Sequence, residues 1–249
     1  MTSVLALFRA TFRSALPLKR TILFGLLELT PALLFVLSAE NRTGEAAFDT
    51  LVEVGASSYF ALLVPVVALV LGASALGSER RDQTLSFIVL RPIRRSVVGA
   101  TKILATACAA IAINAVGAVA LWAVFSIQHH TDADILVGLL VGMAVAVVAY
   151  VSIIVPLGFV TDRAVVIGLG FLLVFENGVV FALPGLATLS PWRIGAAAFG
   201  GITTQAQPIL DNIVGNLTIS TGGSVFTALI YLAVGVSLTG LLLAHRDLA

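Results

Sequence analysis

The sequence predicts an all-α, polytopic membrane protein with six transmembrane helices. An N-terminal interfacial helix precedes them, and outer re-entrant or short helices come before the last span. Three observations predict this. Of the 249 residues 59% are hydrophobic and 11% charged, with a mean hydropathy of +1.09, whereas a soluble domain is about 45–50% apolar and about 25% charged. Six apolar stretches suit the roughly 20 residues that a helix needs to cross hydrocarbon: 21–39, 57–76, 97–125, 135–160, 164–183 and 224–244. The alternation of apolar and polar residues that marks a membrane barrel is absent, and in lipid only helices remain. The whole chain, 1–249, reads as one transmembrane domain.

The elements follow in order. Residues 1–20 carry Leu5, Phe8, Phe12 and Leu16 on one helical face and Arg9, Arg13 and Arg20 beside it, which is the pattern of a helix lying in the membrane interface. A secretory signal is the alternative for this end. The charged stretch is too long for one, and Glu28 interrupts the apolar core. The loop 40–53 is acidic. The third apolar stretch is longer than a crossing needs, which implies tilt or extension beyond the bilayer. His129, His130, Asp132 and Asp134 run together in a short loop rather than being spaced for one face, so a solvated turn is expected there and no metal site. Gly138 and Gly142 form a GxxxG in the fourth span, read as close packing within the chain. Segment 184–223 is too long for a plain connection and still apolar.

Between the second and third spans lies the most informative segment, 77–96. It holds Glu79, Arg80, Arg81, Asp82, Arg91, Arg94 and Arg95 in an otherwise charge-poor chain. Glu79, Asp82, Gln83 and Ser86 recur at helical spacing as a polar stripe opposite Leu85, Ile88 and Val89, and Pro92 ends the pattern. A short amphipathic helix in a membrane loop is a docking surface.

Topology follows from the cations. With the N-terminus inside, the inner side holds Arg9, Arg13, Lys19, Arg20, Arg80, Arg81, Arg91, Arg94, Arg95, Lys102, Arg163 and Arg246, and the outer side only Arg42 and Arg193. That bias places both termini in the cytoplasm.

Several chemistries are excluded. The only lysines, Lys19 and Lys102, do not follow glycine, so no phosphate-binding P-loop exists and the chain itself hydrolyses no nucleotide in that way. No GxSxG elbow is present, and the histidines fall on opposite sides of the membrane, so catalytic residues are not expected. Cys108 is alone, which rules out an internal disulfide. Glu28 in the first span and Glu176 in the fifth are carboxyls inside apolar segments, costly and often functional. Each is part of a transport path or latch, or is satisfied by a nearby hydroxyl or amide such as Asn177.

Taken together, these features resemble a type-2 ABC transporter permease, the membrane subunit of an ATP-binding-cassette exporter. The resemblance rests on the layout and on Glu79, Arg80, Thr84, Leu85, Pro92, Ile93, Arg95 and Lys102, which follow the family's charged loop pattern, with Gln83 where the family has glycine. Leu189-Ser190-Pro191 and the ending His245-Arg246-Asp247-Leu248 are also similar to family elements. The resemblance implies that Glu79, Arg80, Asp82, Gln83, Thr84, Leu85 and Ser86 dock on an ATPase subunit and transmit its motion. It implies no cofactor in this chain, with ATP and Mg bound by the partner ATPase. The partners it implies are ABC ATPase subunits, a second permease copy or paralogue, and membrane lipids, with no nucleic acid. The location it implies is a prokaryotic cell (inner) membrane. Two rival readings are an ion-coupled secondary carrier using Glu28 or Glu176, and a non-transporting membrane scaffold.

Overall fold

The computed structural model describes residues 2–39, 42–81, 94–129, 133–179, 184–215 and 219–245, and every element among them is helical. The interfacial helix is α1, Thr2–Ala15. Its buried stripe is Leu7, Thr11 and Ala15, with Phe8 and Phe12 stacked at its edge. Leu5, on the apolar face that the sequence assigns to the membrane interface, is exposed beside this stripe. Pro17, with no N–H to continue α1, breaks the chain. The first span therefore starts at Leu18 as α2 (Leu18–Leu27), turns at Glu28 and Leu29, and resumes as α3 (Thr30–Ser38).

The second span begins earlier than the sequence predicts. Helix α4, Glu45–Val54, runs through a π-helical segment, Gly55–Leu63, into α5, Val64–Arg81. Most of the acidic loop 40–53 is thus helix. Glu45, Asp49 and Glu53 are four residues apart and share the exposed face, while Ala47, Leu51 and Val52 pack inward. Acidic residues there read as loop because their helical spacing was masked by charge. At its other end α5 carries Glu79 and Arg81 without interruption. Glu79 therefore belongs to the second span's own helix and does not start a separate loop helix. Asp82, Gln83, Thr84, Leu85, Ser86 and the Pro92 stop lie outside the described residues, as does the side chain of Arg80.

The third span is α6, Arg95–His129, 35 residues or about 52 Å at 1.5 Å per residue, longer than the roughly 30 Å of hydrocarbon, as the sequence predicts. The fourth is α7, Ala133–Val160, which packs against α5, α6 and both elements that close the fold. Helix α8, Ala164–Gly170, continues as π-helix over Phe171–Val179. After a 3-10 turn at Pro184–Leu189 come α9 (Pro191–Ile202), α10 (Gln207–Val214) and α11 (Thr221–His245).

Five described helical stretches are long and apolar enough to cross a membrane: Leu18–Ser38, Glu45–Glu79, Arg95–His129, Ala133–Val160 and Thr221–Ala244. The predicted fifth segment, 164–183, contributes the shorter apolar stretch Ala164–Glu176. The outer segment does contain short helices, but α9 is not laid on the surface. All its residues from Pro191 to Gly200 are buried, because Gly195 and its alanine neighbours let it sink between α7 and α11. The GxxxG of the fourth span is the other half of that contact. A Cβ at Gly138 would meet Thr203 Oγ1 at 2.7 Å, and one at Gly142 would meet the Gly195 carbonyl at 2.5 Å. Close packing within the chain is what these glycines serve.

Candidate functional site

Three buried polar clusters lie along the bundle. The first is at the basic end, where α5 delivers Glu79 and α6 delivers Lys102. Lys102 Nζ donates to Glu79 Oε1 in an ion pair, and Lys102 is 1% exposed. An ammonium that dry is tolerable only with its carboxylate in place. The same end is stitched by two arginines. Arg20 Nη1 donates to Ser74 Oγ at 3.3 Å, tying the first span to α5. Arg95 Nη1 donates to the carbonyl of Leu243, in the last turn of α11, where helix carbonyls lack internal donors and the dipole favours a cation. Glu79, read from sequence as part of an outward docking stripe, is thus turned onto its neighbouring helix. Sequence reasoning missed the role of Lys102. The available signal was a cation inside the predicted third span, which needs a counter-charge nearby.

The second cluster is at mid-length of the first span. Glu28 is fully buried at the turn between α2 and α3. It meets α6 at Gly117, where an added Cβ would collide with Glu28 Oε2 and lie 3.0 Å from the Tyr59 ring. Tyr59, in the first π-helical segment, donates its hydroxyl to the Asn114 carbonyl at 2.8 Å. Neither Glu28 oxygen has a hydrogen-bond partner. The hydroxyl or amide expected to satisfy this carboxyl is therefore not there among the described residues.

The third cluster surrounds Glu176, in the second π-helical segment. Tyr150 Oη of α7 donates to Glu176 Oε2 at 2.6 Å. The start of α9 brings Ser190 beside the Glu176 carboxyl, and Arg193, whose charge acts on it. Arg193 also donates to the Val214 carbonyl and lies 5.2 Å from the Trp192 ring centroid. Tyr231 Oη of α11 closes the group by donating to Leu189 O at 2.7 Å. The sequence pointed to Asn177 as the partner of Glu176. The partner is Tyr150, and the side chain of Asn177 lies outside the described residues. Arg193, counted in the sequence as an outer-loop cation, is drawn into this interior because α9 is buried. Glu28 and Glu176 both face other helices, as their cost in lipid requires.

Tyr150→Phe is expected to destabilise the protein by about 1–3 kcal/mol, since it strands a buried acceptor. Glu176→Gln, which keeps an acceptor for the tyrosine, is expected to cost less. Thermal unfolding in detergent measures both.

Over residues 18–178 the sequence matches the family described as ABC-2 family transporter protein. The chain belongs to that family. No curated relative matches it. The match starts at the first residue of α2 and ends within the second π-helical segment. Glu28, Glu79, Lys102, Tyr150 and Glu176 of this ABC-2 permease therefore fall inside the matched region, and Ser190 and Arg193 beyond it. Family and apolar helices together make the chain a multi-pass membrane transporter subunit.

Proposed function

We propose that this protein is the permease subunit of an ABC exporter, working with ATP hydrolysed by a separate ATPase subunit that binds ATP and Mg. The supporting observation is the family match over 18–178, which includes the charged segment 77–96 and the Glu79–Lys102 pair beside it. In this reading the apolar stretch from Ala164 completes six spans, and the cation bias puts both termini in the cytoplasm of a prokaryotic cell. Helix α9 is re-entrant. Two permeases rock between inward-open and outward-open states as the ATPases close. The path lies between the two copies, because the interior of one chain is filled by apolar side chains. An amphiphilic or apolar cargo suits such walls.

The structure shifts where this reading is best tested. Glu79 is engaged with Lys102, so a change there disturbs the permease itself. Asp82, on the polar stripe, is the cleaner probe. With an ABC ATPase co-expressed, the wild-type permease is expected to co-purify with it and stimulate its hydrolysis. Asp82→Lys is expected to reduce both while leaving membrane insertion intact, because like charge in a partly buried contact costs several kcal/mol. Unchanged association and hydrolysis would remove the coupling role. A second reading, an ion-coupled carrier, draws on the unpartnered carboxyl of Glu28. Transport that needs no ATPase and stops when the proton gradient is collapsed would favour it.

A further inference from the structure

Glu28 occupies a break that the local sequence builds. Pro31 has no N–H for the Leu27 carbonyl, and Thr30 Oγ1 donates to that carbonyl instead, at 2.7 Å. The helix then resumes with Leu33 N–H to Leu29 O at 3.1 Å. This turn carries the Glu28 side chain into the bundle, fully buried and with both carboxyl oxygens unpartnered.

Among the described residues no donor stands in hydrogen-bond geometry to either Glu28 oxygen. Asn114, one turn before Gly117 on α6, leaves Oδ1 buried and unpartnered. Its Nδ2 is spent on Ala110 O at 2.8 Å, and the Tyr59 hydroxyl on Asn114 O at 2.8 Å. Packing is tight, since a Cβ at Gly117 would come 3.0 Å from the Glu28 carbonyl as well as striking Oε2. The elements packed on α2 and α3 include α6, α4, the first π-helical segment and α5, on whose Ser74 Oγ the Arg20 guanidinium of α2 is spent. Their titratable groups are these: Tyr59 faces Glu28; Glu45, Asp49 and Glu53 lie on the exposed side of α4; on α6, Lys102 is held by Glu79, Cys108 is exposed, and Arg95 and His129 sit at the ends. No positive charge reaches the carboxyl. An ionised, unpaired carboxylate in that setting is strongly disfavoured.

We propose that Glu28 is a proton-binding site at the centre of the first span, its carboxyl keeping an O–H bond where the span is seated on α6. The proposal goes beyond ATPase coupling and does not depend on it.

The test is infrared spectroscopy of the full permease alone in lipid bilayers at neutral pH. A deuterium-sensitive band of a protonated carboxyl group is expected in wild type and in Glu176→Gln, and lost or reduced in Glu28→Gln. Identical bands in wild type and Glu28→Gln would overturn the proposal. So would no such band in Glu176→Gln, or a band that disappears when potassium is exchanged for sodium, which would mean a metal cation competes for the carboxyl. Should Glu28→Gln fail to fold, Glu176→Gln decides alone, because Glu28 and Glu176 are the fully buried carboxyl residues among those described. The permease without its ATPase answers this question, so the outcome is separable from the co-purification result.

Discussion

Gly142→Leu is expected to leave little folded permease. At this position α7 and α9 touch backbone to backbone: a Cβ on Gly142 would lie 2.5 Å from the Gly195 carbonyl, and one on Gly195 would lie 2.7 Å from the Gly142 carbonyl. Phe60 and Phe199 close the sides, at 3.0 and 3.1 Å from the added carbon. A carbonyl fixed in a helix cannot swing aside as a side-chain tip can. Even alanine must force the helices apart, at a cost of about 1–3 kcal/mol for overpacking of one carbon. Leucine adds three more carbons in the same place. Helix α9 would be expelled from its slot, taking Ser190 and Arg193 away from Glu176. Gly25→Ala is the matched control, since nothing lies within 4 Å of its added carbon. It is expected to be neutral, or stabilising by up to about 1 kcal/mol as a helix-interior glycine replaced by alanine. Yield of monodisperse protein and its melting temperature distinguish the two.

Glu79→Ala is expected to be more damaging than Lys102→Ala, although both remove the same ion pair. The side chain of Lys102 is 2% exposed and that of Glu79 is 22%. Deleting the carboxylate leaves an ammonium in a dry site, which costs about 3–5 kcal/mol for a buried charge without its partner. Deleting the lysine leaves a carboxylate on a partly exposed side chain that can turn toward water, and the loss is smaller. Lys102→Met with Glu79→Gln is expected to recover much of the stability of Glu79→Ala, because no full charge is then stranded. Chemical denaturation of Glu79→Ala, Lys102→Ala and the variant carrying both alanines forms the cycle that measures the coupling. Equal losses in the two single variants would mean that the lysine is better hydrated than its burial indicates.

Much of the architecture was legible because it is written in local periodicity. Apolar runs near bilayer length gave the helical class, and paired glycines at 138 and 142 announced a close contact. The exceptions have physical causes. Glu45, Asp49 and Glu53 made a helical extension look like a loop, since charge outweighed their four-residue spacing. At the polar clusters, Glu28 and Glu176 stood out as lone carboxyls in apolar runs, yet their surroundings did not. Tyr150, Ser190 and Arg193 reach Glu176 only through the packing of α7 and α9, and nothing in their local sequence encodes that meeting. The Glu79–Lys102 pair was hidden for a different reason: the stripe it shares with Asp82 reads equally well as an outward surface.

Helix α6 runs its 35 residues without a proline and is gripped at three heights: by Glu79 at Lys102, by Glu28 at Gly117, and by Phe35 and Phe48 at Phe125. Mechanically it is a stiff lever with its fulcrum near Gly117. By helical rise, the arm to Lys102 is about 22 Å and the arm to Phe125 about 12 Å. A tilt of about 10° would therefore carry the Lys102 end through about 4 Å and the Phe125 end through about 2 Å in the opposite sense. In such a tilt the Phe125 end makes a counter-swing of about half the stroke at Lys102, by the ratio of the two arms. The pivot itself passes over the Glu28 carboxyl.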